Sequence, residues 1–305
     1  MTRIMITGSS GFLGQALVQA AQAQGHSIVA ISRGTGSKMG TGIHPVQIDL
    51  GASDAAEGLK AALTGVEVVI HAAASFAGTA DAHARDTFGA TRNLLKAMSQ
   101  IEPLPRLVLI SSLSVFDVAN LNDHAALDEN APLVTDASQR DAYAAAKAAQ
   151  ERLIADYEGP HQIIRPGAIF GPNRLWSAQL GFAKAGRVFC PGPDTLMPAI
   201  EVSRAARAIL RAVTQPIDTK VINLIEPTQP TCRDWLAAIG LQAVPVPAGL
   251  VHLVGKLIGR SAAWRARFRP LKYDTRQAEN LLDPATRPTF ATQIAHAKQA
   301  EQDMQ

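Results

Sequence analysis

Aromatic residues are scarce in this chain: 3 Tyr, 3 Trp and 9 Phe among 305 residues, or 5%. That leaves no stacking platform for nucleobases. A net charge of only +3 adds no electrostatic case for nucleic acid, so no nucleic-acid partner is expected. Cysteine is rarer still. Cys190 and Cys232 lie far apart, with no CxxC spacing. They fit a reducing compartment and suggest neither a disulfide framework nor a metal site. No uninterrupted apolar run is long enough to span a bilayer, so no membrane partner is expected. The first β-rich run starts at Arg3, which leaves no room for a signal peptide, and a cytoplasmic protein is expected.

What is present reads as a folded α/β protein. Hydrophobic residues make up 47% and charged residues 18%. The runs Arg3–Thr7 and Ser27–Ser32 predict strands, and residues 46–48 a third. Apolar residues at helical spacing predict a helix from Phe12 to Gln24, closed by Gly25. A helix-like stretch at 54–63 precedes the nearly continuous apolar runs 66–70 and 106–110, expected of strands buried on both faces of a parallel sheet. A helix ending near Met98, one at 142–157, a strand at 161–165, a helix at 203–213 and a strand at 221–224 continue the alternation. This is the pattern of an α/β fold with a doubly wound parallel sheet of the Rossmann kind. After Pro166 Gly and Pro cluster, so residues 1–165 read as the nucleotide-binding domain and 166–305 as a smaller substrate lobe, the two interleaved at a soft boundary.

The segment Thr7-Gly8-Ser9-Ser10-Gly11-Phe12-Leu13-Gly14 joins the first strand to the first helix. Glycines there permit a tight turn and close approach of a pyrophosphate, and the helix N-terminus supplies N–H groups and partial positive charge. At the end of the second strand, where NAD sites commonly carry an acid, stand Ser32 and Arg33. A guanidinium attracts a 2′-phosphate, so NADP is the preferred cofactor and NAD the second option; the alternative is a solvated arginine at a strand end. Asp49 either accepts from an adenine amino group or caps a turn.

Tyr143 and Lys147 stand one helical turn apart, separated only by alanines. A free phenol titrates near ~10, and a neighbouring ammonium lowers that value toward useful acid–base chemistry. Ser111 and Ser112 follow the buried strand at 106–110, at the carboxyl end where ligands bind in such sheets. One of the two is expected to cap a turn.

These pieces together resemble the extended short-chain dehydrogenase/reductase superfamily, also called the NAD-dependent epimerase/dehydratase family. The matching segments are TGSSGFLG at 7–14, DL at 49–50, HAAA at 71–74, TRNLL at 91–95, ISSLSVF at 110–116, ENAPL at 129–133, YAAAK at 143–147 and RPGAIFGP at 165–172, with a weaker match at 272–282. The resemblance implies Tyr143 as acid–base, Lys147 as ribose ligand and tuner of Tyr143, and Ser112 as holder of the reacting oxygen. It implies a cofactor held by Gly8, Gly11, Phe12, Leu13, Gly14, Ala72, Ala73, Pro166 and Gly167, together with Tyr143 and Lys147; Ser32, Arg33, Asp49, Leu50 and Ala74 complete the expected cofactor set. Substrate contacts fall to Ser112, Ser114 and Arg174. A homodimer through the helices flanking the sheet is one assembly it allows.

Three departures matter. The family's usual Asn six residues before Asn93 is Thr87 here; that Asn braces a helix, so no loss of activity follows. A motif usually reading His-Val-Asp-Asp is Glu201-Val202-Ser203-Arg204, which puts the substrate-lobe geometry in doubt. Beside Ser112 stand Leu113 and Ser114, where dehydratases and decarboxylases of the family carry acids. Neither residue can protonate a leaving hydroxyl, which argues against elimination. The leading expectation is an NADP-preferring oxidoreductase acting on a carbonyl or secondary alcohol. A sugar-nucleotide epimerase with retained NAD is the alternative; Arg174, Arg187, Arg265, Arg267 and Arg269 are cations for its diphosphate, or a solvated basic surface. A non-catalytic NADP(H) sensor or assembly subunit is the third reading.

Overall fold

The computed structural model describes residues 1–34, 40–76, 78–215, 219–283 and 288–303. Chain order begins β1 (Arg3–Thr7), α1 (Phe12–Ala23), β2 (Ser27–Ser32), β3 (Ile43–Gln47), α2 (Ala55–Ala62), β4 (Val68–His71), α3 (Ala80–His83), α4 (Ala90–Met98) and β5 (Arg106–Ile110). It continues through β6 (Ala126–Leu127), α5 (Ala142–Ala155), β7 (His161–Pro166), β8 (Ala168–Phe170), β9 (Phe182–Lys184), β10 (Arg187–Cys190), β11 (Ala199–Glu201), α6 (Val202–Thr214) and β12 (Val221–Leu224). The remaining elements are α7 (Cys232–Ala238), β13 (Ala243–Pro245), α8 (Ala248–Leu257), α9 (Ser261–Phe268), β14 (Lys272–Tyr273), α10 (Arg276–Glu279) and α11 (Phe290–Asp303). The chain divides into two compact units, each discontinuous in sequence. The first is Met1–Val115, Ala142–Arg165 and Ser203–Ile222; the second is Phe116–Asp141, Pro166–Val202 and Asn223–Gln305.

The central sheet has seven strands in the order β12-β7-β5-β4-β1-β2-β3, and the strands from β7 through β5, β4, β1 and β2 to β3 pair in parallel. Its two winding directions part between β1 and β4, with Thr7 paired to His71 at their carboxyl ends. A topological switch point of this kind opens a crevice for a ligand. The inner strands β4 and β5 are buried almost throughout, as their continuous apolar runs require. The edge strand β3 is mostly exposed and starts earlier than the sequence pattern suggests, taking in Pro45. Proline argues against a central strand but is tolerated at an edge, where one side needs no ladder bonds. Met5, Val29, Val69, Leu94, Leu107, Leu109 and Ile154 lie in the core of this unit.

In the second unit β10 pairs with β9 and β13, β8 with β11, and β6 with β14. Its core is built on Phe170, Trp235 and Phe290, whose ring centroids lie 5.0–5.3 Å apart. The two cysteines meet in this core: Cys190 Sγ and Cys232 Sγ are 2.6 Å apart, and both are free thiols. The hydrogen bond between them lowers the Cys190 thiol pKa and raises that of Cys232. Sequence spacing gave no sign of this meeting, because β10 and α7 approach only in the folded core. Among the described residues, no helix is long and apolar enough to cross a membrane.

Candidate active site

Gly8 and Gly14 lack a side chain for a steric reason. Gly8 has φ +70°, and a Cβ there would lie 2.9 Å from Ala73 Cα. One on Gly14 would lie 2.0 Å from Gly8 O. Gly11 is the N-cap of α1, where no side chain caps the helix, and its N–H donates to Gly8 O at 2.9 Å. Phe12 opens α1, Leu13 follows within its first turn, and the helix axis brings partial positive charge to this end. A cavity of about 190 Å³ lies against this turn, lined by Gly8, Gly11, Ser32, Arg33, Asp49, Leu50 and Ala72–Ala74. Of the expected cofactor residues, Phe12, Leu13 and Gly14 lie in the first turn of α1 beside this cavity and are not part of its wall, nor are Tyr143 and Lys147 on α5. Pro166 and Gly167 belong to the second unit, where a Cβ on Gly167 would sit 2.4 Å from Pro198 O.

The side of this cavity near Arg33 and Asp49 is more heavily paired than the sequence suggests. Arg33 Nη1 donates to Asp86 Oδ2 at 3.0 Å. Arg85 Nη1 donates to the other oxygen of Asp86 at 2.6 Å, and Arg85 Nη2 pairs with Asp49. Two cations and two anions therefore balance. Asp49 Oδ1 also accepts from Gly51 N–H at 3.1 Å, so the turn-capping alternative for this residue is realised. Asn93 Nδ2 donates to Leu50 O and Ala52 O, both at 2.8 Å, and holds the same turn. Thr87 Oγ1 accepts from Ser75 N–H at 3.1 Å, so this threonine braces the wall of the cavity.

Tyr143 and Lys147 lie on α5. The Tyr143 ring contacts Phe76 and His83 edge-on, with centroids 5.5 and 6.0 Å apart. Lys147 is buried at the carboxyl end of β5: Nζ donates to Ile110 O at 2.7 Å and to Gln150 Oε1 at 3.0 Å. Burial pulls its pKa down to about 7, partly opposed by the Glu151 carboxylate. Ser112 Oγ accepts from Ser114 N–H at 3.1 Å, so it is Ser112 that caps the turn. Ser114 Oγ is buried with no hydrogen-bond partner among the described residues. Ser114 lies in the helical turn Leu113–Val115 that follows β5, and an unpartnered buried hydroxyl there is suited to a polar ligand atom. Arg174, in the second unit, closes a tight turn through reciprocal backbone bonds with Gly171 at 3.0 and 3.2 Å.

Beneath Lys147 runs a buried polar chain. Gln150 Nε2 donates to Thr91 Oγ1 at 2.7 Å, and Thr91 donates to Thr87 O at 2.7 Å. Having spent its one proton, Thr91 Oγ1 accepts from His71 Nε2–H at 2.9 Å. His71 Nδ1 then accepts from Thr7 Oγ1 at 2.7 Å, whose oxygen takes the Ala73 N–H at 3.3 Å. The chain links the end of β1, the wall of the cavity and the lysine. It holds His71 neutral: burial, with the Lys147 charge second, lowers its pKa from 6.5 to about 3. Between those values the unfolded chain binds more protons, so stability rises with pH and is lost as pH falls through that window. Urea unfolding across that range is expected to show this fall. His71→Leu is expected to be less stable at neutral pH, with Thr7 and Thr91 unpartnered, yet to show a shallower fall. Parallel wild-type and variant curves would refute the assignment.

Glu151, one turn beyond Lys147, is buried and accepts from Arg165 Nη2 at 2.7 Å and Nε at 3.0 Å. Ser111 Oγ donates to the same carboxylate. Gln150, Thr91, Glu151, Arg85, Asp86 and Phe76 were not singled out from the sequence. A clue was available for two of them: a Gln-Glu pair on the core-facing side of a helix needs buried partners.

The family model for the NAD-dependent epimerase/dehydratase family matches residues 4–224. A ketoreductase of Stigmatella aurantiaca, named for a farnesyl dihydroquinoline oxide, is 31% identical over 177 residues, covering 56% of this chain and 51% of its own. An uncharacterised protein of Mycobacterium tuberculosis is 28% identical over 261 residues, covering 83% of this chain and 25% of its own. The chain thus spans about a quarter to a half of the length of these relatives. Among solved structures, MoeE5 in complex with UDP-glucuronic acid and NAD aligns with TM-score 0.75 at 20% identity, over 99% of this chain and 100% of that one.

Proposed function

Because the chain belongs to the NAD-dependent epimerase/dehydratase family, we propose that it is an oxidoreductase moving hydride between a nicotinamide cofactor and a carbonyl or secondary alcohol, with Ser112, Tyr143 and Lys147 as catalytic residues. The observation that carries this reading is Lys147 buried at the carboxyl end of β5, one helical turn from Tyr143 and next in the fold to Ser111 and Ser112. The glycine turn, in which a Cβ on Gly8 or Gly14 would collide with backbone, the uncapped start of α1 and the alanine wall fit a dinucleotide. When bound, that cofactor gives or takes the hydride. Tyr143 moves the matching proton to or from the substrate oxygen. Lys147, while charged, lowers the phenol pKa. It has two acceptors among the described residues, which leaves one N–H for a ribose hydroxyl. Ser112 and Ser114 hold the substrate oxygen. The second unit is the substrate-binding part.

NADP is the preferred cofactor and NAD a usable one. Arg33 supports this, and Asp86 limits it. A guanidinium–phosphate contact contributes about 1.5–3 kcal/mol. An exposed ion pair such as Arg33–Asp86 is worth about 0.2–1 kcal/mol. The phosphate wins this competition by about 1–2 kcal/mol, roughly a tenfold preference. Fluorescence titration is expected to show NADPH binding about tenfold more tightly than NADH. Arg33→Ala should erase the gap, and Asp86→Asn should widen it by freeing the guanidinium. Tighter binding of NADH by wild type would favour the second reading, a sugar-nucleotide epimerase with retained NAD, which the likeness to a UDP-glucuronic acid complex supports.

A further inference from the structure

In α8 the outer face is apolar. Only Val251 and Gly255 of this helix are buried, and Gly255 is seated so that a Cβ would lie 3.1 Å from the Trp264 ring. Leu250, Leu253, Val254 and Leu257 are 51%, 56%, 38% and 78% exposed, and Ile258, just past the helix, is 53% exposed. Their spacing is that of the face a surface helix normally turns to its core. At 3.6 residues per turn these five cover about 140° of the helix, with His252 and Lys256 on the opposite side. Aliphatic groups scattered singly need no explanation, but a contiguous stripe marks an interaction surface.

The charge around the stripe has one sign. Between Asp234 and Asp274 the chain has no acidic residue but carries Lys256, Arg260, Arg265, Arg267, Arg269 and Lys272. Lys256, Arg260, Arg265 and Lys272 are exposed. Arg267 interacts with the acid Asp141 and lies near the cations Arg140 and Arg260. A second copy of the same surface would set like charges against each other, which disfavours self-association through it. The helix is too short to span: its 10 residues rise about 15 Å, against about 30 Å of hydrocarbon.

We propose that α8 docks the protein on an anionic lipid surface, with the stripe Leu250, Leu253, Val254, Leu257 and Ile258 in the headgroup boundary and Lys256 of α8, Arg260 between the helices and Arg265 of α9 against lipid phosphates. This is the arrangement of an interfacial amphipathic helix. The expectation of no membrane partner rested on the lack of a spanning segment, and a helix lying on the bilayer needs none. Vesicle flotation tests it, with phosphatidylcholine alone and with equal parts phosphatidylcholine and phosphatidylglycerol. Wild type is expected to float with the anionic vesicles and not with the neutral ones, and less at high salt. Each of Lys256→Glu and Arg260→Glu should weaken partition at least about fivefold, the equivalent of about 1 kcal/mol per lost charge. The double variant Leu253→Glu, Leu257→Glu should lose flotation while keeping its thermal midpoint, since both side chains are exposed. The proposal is overturned if wild type floats with neither vesicle, or equally with both, or if the double variant floats like wild type. It is also overturned if sedimentation shows a wild-type dimer that the double variant splits while neither binds vesicles; the stripe would then be an interface between copies.

Discussion

Tyr143→Phe is expected to bind NADPH as tightly as wild type and to turn over carbonyl substrates about 10²–10⁴ times more slowly, the range that a positioned acid–base group contributes. The substitution keeps the ring, so its edge contacts with Phe76 and His83 survive. Only the proton donor is lost. Stopped-flow binding and steady-state turnover separate the two effects, and unchanged turnover would end the assignment of Tyr143. The pH profile adds a second check. Lys147 loses its charge near pH 7, so support for the phenol weakens above that value, and carbonyl reduction should decline there. In Lys147→Ala this limb should disappear, with weaker cofactor binding.

The largest stability effect is expected at Glu151, one helical turn from Lys147. Its carboxylate is 4% exposed and holds Arg165, also 4% exposed, through two hydrogen bonds. Glu151→Ala leaves a buried guanidinium without its counter-ion, a loss of about 3–5 kcal/mol. Ser111 loses its acceptor as well. Urea denaturation should register most of this, and the double variant Glu151→Met, Arg165→Met should recover much of it, because removing both charges removes the desolvation penalty. If the single variant is as stable as wild type, the pair has no structural role. Glu151 also raises the Lys147 pKa, so any Glu151→Ala protein that folds should show its pH limb at lower pH.

Both predictions rest on residues that differed in how visible they were. Tyr143 and Lys147 were legible because their spacing places them on one helical face wherever the helix goes. The glycines were legible because each answers a local requirement: a positive φ at Gly8 and a Cβ collision at Gly14. Glu151 and Arg165 stand 14 positions apart on different elements, and only the packing of α5 against β7 brings them together. Arg33 lies between these cases. Its position at the strand end is local information, but its pairing with Asp86, 53 residues away, is not.

The sequence by itself determined the alternation of strands and helices, the parallel inner strands, the glycine turn and the tyrosine–lysine pair, because periodicity, turn chemistry and i to i+4 spacing act over a few residues. The tertiary structure alone decided which partners those residues have. The path from Thr7 through His71, Thr91 and Gln150 to Lys147 draws on four elements and the helical turn beside Thr87. The charge balance of Asp49, Arg85, Asp86 and Arg33 beside the cavity likewise joins three segments distant in sequence. Hydrogen bonds and ion pairs act at about 3 Å, and which groups come that close depends on how distant segments pack.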